Sequence, residues 1–66
     1  GYTITGTVQK VRVTNDTVTF EVDDEEYCFN RADIGDALME IVVGDFVEID
    51  FKNGKHIAIR TATQLG

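Results

Sequence analysis

The run from Tyr2 to Val13, YTITGTVQKVRV, alternates apolar and polar residues and then changes phase with no turn signal at the change. Ile4 and Val8 share one parity, and Val11 and Val13 share the other. Successive side chains of a strand point to opposite faces, so keeping all four on one side requires one extra residue at the switch. The pattern therefore predicts a long first strand with a β-bulge near Gln9–Lys10. Thr5, Thr7 and Gln9 then face away before the switch, and Lys10 and Arg12 after it. Gly6 is a second point where this strand can bend sharply. Such a strand can join two halves of one sheet, as a small barrel requires.

The later segments repeat the period of two. Asn15-Asp16 reads as a turn, and TVTFEV follows with Val18, Phe20 and Val22 on one face. Thr17, Thr19 and Glu21 take the other. DDEE reads as a loop, and EYCFNR as a third strand with Tyr27 and Phe29 inward and Cys28 and Asn30 outward. ADIGDALMEI is short and broken by Gly, which predicts one or two helical turns with Ile34 and Leu38 inward. FVEIDF places Val47, Ile49 and Phe51 inward. Asn53-Gly54 then suits the positive φ angles of a two-residue hairpin turn. HIAIRTAT closes the chain, with Ile57 and Ile59 inward and His56 facing solvent. The expected architecture is all-β: a five-stranded antiparallel OB-type barrel with a short helical turn between strands 3 and 4. An SH3-like barrel is the alternative, since it also uses about five short strands.

Composition supports strands and narrows the function classes. Eight Val, six Ile and eight Thr outweigh two Leu and four Ala, and β-branched residues favour pleated, half-buried surfaces. Sixty-six residues make one domain, residues 1–66, with a thin core. No apolar run is long enough to span a bilayer, and the Thr-studded first twenty residues do not form a signal peptide. A single Cys excludes an internal disulfide framework. The expected setting is intracellular and cytoplasmic. Because the chain begins at Gly1 without Met, it is read as a domain excised from a larger protein or a trimmed piece of one. It is expected to be a monomer within a multi-domain protein.

Charge is unevenly spread. The net charge is −6, and residues 23–50 hold ten acids against Arg31 alone. A sequence-independent nucleic-acid binder is normally basic, because phosphate neutralisation supplies most of its affinity. This field opposes strong general binding and leaves room for a local, weak site.

Four stretches, GTVQKV, TFEV, YCFNRADI and VGDFVEIDFKNGKHIAIRTATQ, resemble a cold-shock domain, an OB-fold family. The resemblance runs from about Gly6 to Gln64. Members of that family bind single strands by stacking bases on outward aromatic side chains, each stack worth about 1–3 kcal/mol. At the aligned positions this chain carries Lys10, Thr17, Thr19, Cys28 and Asn30 instead. The resemblance thus implies a non-canonical, RNA-associated member without stacking platforms.

Two functions from different classes follow. In the first, Lys10, Arg12 and Arg31 contact phosphate, while Thr17, Thr19 and Asn30 hydrogen-bond bases or sugars of a weakly held single-stranded RNA. In the second, the domain docks a protein partner or serves as a structural module. Catalysis has little to build on: Ser is absent, and the lone Cys28 and lone His56 stand 28 residues apart. Asp23, Asp24, Glu25 and Glu26 offer oxygens for a hard cation but lack the spacing of a calcium loop, and read as a solvated hairpin. No metal, cofactor or enzymatic activity is expected.

Overall fold

The computed structural model describes residues 1–35 and 40–64. Within them β1 (Tyr2–Val13), β2 (Thr17–Val22), β3 (Glu25–Asn30), β4 (Phe46–Lys52) and β5 (Lys55–Thr61) form one antiparallel sheet. A helical turn, α1 (Arg31–Ile34), lies between β3 and β4. The expected inward placement of Leu38 falls outside the described residues.

The strand order is β3-β2-β1-β4-β5, with β1 shared between two partners. Its first half pairs with β4 from Tyr2↔Phe51 to Thr7↔Phe46. Its second half pairs with β2 from Val8↔Val22 to Val13↔Val18. The register shifts between Val8 and Lys10, where the change of phase placed the bulge. Gln9 is the unmatched residue, and its side chain is used. Its amide oxygen accepts from the Asp24 backbone N–H at 2.7 Å, and its amide nitrogen donates to Asp24 Oδ1 at 3.2 Å. Asp23 and Asp24 both have positive φ, 51° and 66°, in a two-residue turn joining Val22 to Glu25. Gln9 therefore ties the bend of β1 to the turn between β2 and β3. That turn is shorter than the predicted loop, so Glu25 and Glu26 already belong to β3.

The sheet is open. Among the described residues β3 and β5 exchange no ladder hydrogen bonds, so the expected barrel closure is absent. Across the seam His56 Nε2 lies 2.7 Å from the Cys28 carbonyl oxygen.

The concave face buries Val8, Val18, Phe20, Val22, Phe29, Ile41, Val47, Ile49 and Ile59. Phe20 and Ile49 are fully enclosed, and burial of a side chain of this kind contributes roughly 1.5–3 kcal/mol. Gly6 lies under this layer because a side chain would not fit. A Cβ there would meet Val22 Cγ1 at 2.6 Å and Asp23 Oδ2 at 2.7 Å.

Three inward assignments need correction. Val13 is 55% exposed, because the strand runs out beyond the core, while Val11 is half-buried against it. Ile57 is 52% exposed and His56 is turned inward. The cause is a second bulge: Asp50 pairs with Ala58 but Phe51 with His56, leaving Ile57 unmatched and reversing parity below it. His56 consequently meets Phe29, Tyr27 and Phe51 edge-on, with ring centroids 4.9, 5.6 and 6.2 Å away. Tyr27 is half-buried in the same cluster, rather than part of the innermost core.

Candidate nucleic-acid interface

The Gln9 bulge sends Lys10 and Arg12 to the convex face of the β1–β2–β3 half. Cross-strand register then sets their neighbours. Arg12 stands beside Thr19, which stands beside Cys28. Lys10 stands beside Glu21, which stands beside Glu26. Thr17 is opposite Asn30. Lys10, Arg12, Thr17, Thr19 and Asn30 thus share one face, as the period-two reading required.

A groove of about 420 Å³ runs over this face, lined in part by Lys10, Arg12, Thr19, Glu21, Glu26 and Val43. Its charges are mixed. Arg12 Nη2 donates to Glu26 Oε2 at 3.1 Å, with both side chains well exposed. An exposed pair of this kind is worth at most about 1 kcal/mol, so a ligand can exchange it at little cost. Lys10 is exposed and faces Glu21 across the ladder.

The remaining candidates are less available. Thr17 Oγ1 lies 2.7 Å from Thr14 Oγ1 inside the β1–β2 turn, which occupies its hydroxyl. Arg31 donates to the carbonyl oxygens of Thr14 and Asn15 at 3.3 and 3.4 Å, drawing its guanidinium to that turn and away from the groove. Asn30 reaches Asp33 Oδ2 at 3.4 Å. Lys10, Arg12 and Thr19 are therefore the predicted residues that line the groove together.

Sequence reasoning passed over two of its walls. Glu21 was placed on the outward parity, but charge counted by segment did not reveal that it stands between Lys10 and Glu26. Val43, 61% exposed, sits in the loop whose Gly44 N–H donates to Val8 O and whose Asp45 O accepts from Val8 N–H, each at 2.9 Å. Nothing local in the sequence ties that loop to β1.

The β4–β5 half offers its cation differently. Arg60 donates to Asp50 Oδ2 at 2.7 Å and to Glu48 Oε2 at 3.2 Å. Hydrogen bonds from Arg60, then from Thr3, hold the Asp50 carboxyl below the usual carboxylate range. A second groove, about 370 Å³, lies along the seam between Cys28, Asn30, Lys55, His56 and Ile57. Among the described residues no His, Cys, Asp or Glu side chains gather in threes to hold a metal ion. Nor is any described helix long and apolar enough to cross a membrane. Compared with protein-family models, curated proteins and solved structures, the chain matches none of them.

Proposed function

We propose that this chain is a non-catalytic OB-type module of the cold-shock kind that binds single-stranded RNA weakly across the convex face of β1–β2–β3. The observation that carries the reading is the convergence of Lys10, Arg12 and Thr19 on one open groove, produced by the Gln9 bulge. Support for the OB-type assignment comes from the bent first strand shared between two halves of the sheet and the helical turn between β3 and β4. Affinity is low because the groove carries no aromatic side chain on which a base could stack.

Binding depends on salt. If Lys10 and Arg12 each neutralise one phosphate, the log–log slope is about −1.4, at roughly 0.7 per contact on a single strand. The experiment is a titration of a single-stranded RNA hexamer, followed by amide shifts at low and moderate salt. Shifts should map to β1–β2–β3 and vanish when Lys10 and Arg12 are both changed to Glu. Thr19→Phe should tighten binding by about 1–3 kcal/mol by restoring a platform. A complex that survives high salt, or shifts confined to the Asn53–His56 hairpin, would refute this face.

One observation favours a second reading, a protein partner. Among the described residues Glu21 and Glu26 match Lys10 and Arg12 in number, so the described lining of the groove is neutral. That reading gives no RNA-dependent shifts at low salt and no response to the charge reversal.

A further inference from the structure

The two carboxylates of the groove are not in the same state. Glu26 is engaged by Arg12 at 3.1 Å. Glu21, its register neighbour, is half-buried and makes no ion pair or side-chain hydrogen bond among the described residues. Lys10 faces it across the ladder without coming within ion-pair distance. An ionised carboxylate only accepts hydrogen bonds. A ligand that covers Glu21 strips water from it, and that loss is offset only if the ligand brings N–H or O–H donors. A phosphate laid there would be repelled. Phosphates therefore track Lys10 and Arg12, and whatever lies over Glu21 must be a donor edge.

Base edges differ sharply by this criterion. Uracil presents one N–H between two carbonyl oxygens, which oppose a carboxylate on either side. Cytosine and adenine each set an amino group beside a ring-nitrogen acceptor. Guanine alone presents two adjacent donors, N1–H and the N2 amino group, at the spacing of the two oxygens of a carboxylate. The exposed Val43 side chain on the same groove gives the flat purine an apolar wall.

We propose that Glu21 reads the Watson–Crick edge of guanine and makes this face selective for guanine-containing single strands. The inference rests on the RNA-binding reading above and adds to it a base preference that phosphate contacts cannot supply. Glu21 is the specificity residue, Lys10 the neighbouring phosphate contact, and Glu26 stays with Arg12 in the free protein.

The test compares a uridine hexamer with the same hexamer carrying one central guanosine, and with one carrying inosine, which lacks the N2 amino group. Dissociation constants are measured at low salt for the unaltered chain and for Glu21→Gln. The guanosine strand should bind about tenfold more tightly than the uridine strand, the scale of one good bidentate pair. Inosine should fall between them, and Glu21→Gln should bring all three together. Equal binding of the three strands by the unaltered chain, or a preference unchanged in Glu21→Gln, overturns the inference and leaves weak RNA binding standing. Failure of every strand to bind removes the RNA reading itself and this inference with it.

Discussion

Two bulges interrupt the ladders of this sheet, and they do different work. The one in β1, at Gln9, lies in the middle of a twelve-residue strand and lets one strand serve two partners. The one in β5, at Ile57, lies next to a tight hairpin and reverses which of its neighbours faces the core. The first is structural for the whole sheet, because both halves are joined through it. The second is local: it seats His56 among Phe29, Tyr27 and Phe51, beside the seam that the sheet leaves open. A bulge matters to the fold in proportion to how much sheet depends on the bend it makes.

Single-residue deletions put that contrast at greatest risk. Removing Gln9 straightens β1 and also removes both hydrogen bonds to Asp24, so the turn with two positive-φ aspartates loses its clamp. We expect no cooperative unfolding transition from this variant. Removing Ile57 leaves His56 and Ile59 on the core side and costs only an exposed side chain. That variant should keep a cooperative melt. Circular dichroism against temperature decides the matter, and the reverse ranking would show that the β5 bulge carries the architecture.

A smaller effect tests the packing beside the first bulge. Gly6→Ala inserts a methyl group against Val22 and Asp23, and overpacking of this kind costs about 1–3 kcal/mol. A urea midpoint equal to that of the unaltered chain would mean that the two halves of the sheet do not meet as closely as they do here.

The second bulge is probed at His56. Replacing it with Ala removes its edge-on aromatic contacts and its bond to the Cys28 carbonyl, a loss of roughly 1–2 kcal/mol. His56→Phe keeps a ring in the cluster and should recover part of that loss, since the Cys28 carbonyl lies at a strand edge open to water. Chemical denaturation of both variants separates ring from hydrogen bond. If Ala is neutral, the seam is held by something other than this side chain.

These same residues show what can be read from the chain in advance. The Gln9 bulge was legible because apolar residues flank it on both sides, Ile4 and Val8 before and Val11 and Val13 after, so a change of phase had something to register against. In KHIAIRT the only strong apolar residues are Ile57 and Ile59, which agree with each other in an unbroken strand. The inward residue below the bulge is an imidazole, which a hydrophobic pattern counts as polar. Its fitness for that position depends on three aromatic rings from β3 and β4, which no local window contains. The shared face of Lys10, Arg12 and Thr19 followed from parity alone. The pairing of Arg12 with Glu26 did not, because it depends on the register across three strands. Openness of the sheet was equally hidden: strand count and length favour closure, whereas closure itself depends on how far the sheet coils.

The smallest predicted effect concerns the aromatic cluster that the second bulge completes. Burial, and then the negative charges of Glu25 and Asp23, push the Tyr27 phenol above the ordinary tyrosine range. Tyr27 packs edge-on to Phe51 and His56, with centroids 5.9 and 5.6 Å away, so ionisation would place a charge against two rings. In the unfolded chain the phenol ionises at its usual pH of about 10. Between that pH and the higher folded value, this phenol is more protonated in the folded protein than in the unfolded chain. Stability therefore falls as pH rises through this window, and the contribution is fully present below it. Tyr27→Phe removes the ionisation and keeps the ring. Urea midpoints of the two proteins should run parallel from neutral pH to about 9 and diverge above about 10, with the unaltered chain losing stability faster. Comparing the two at each pH cancels every contribution that both proteins share. Midpoints that remain parallel throughout the alkaline range would mean that Tyr27 stands in water, and that His56 closes over a looser cluster than the one described.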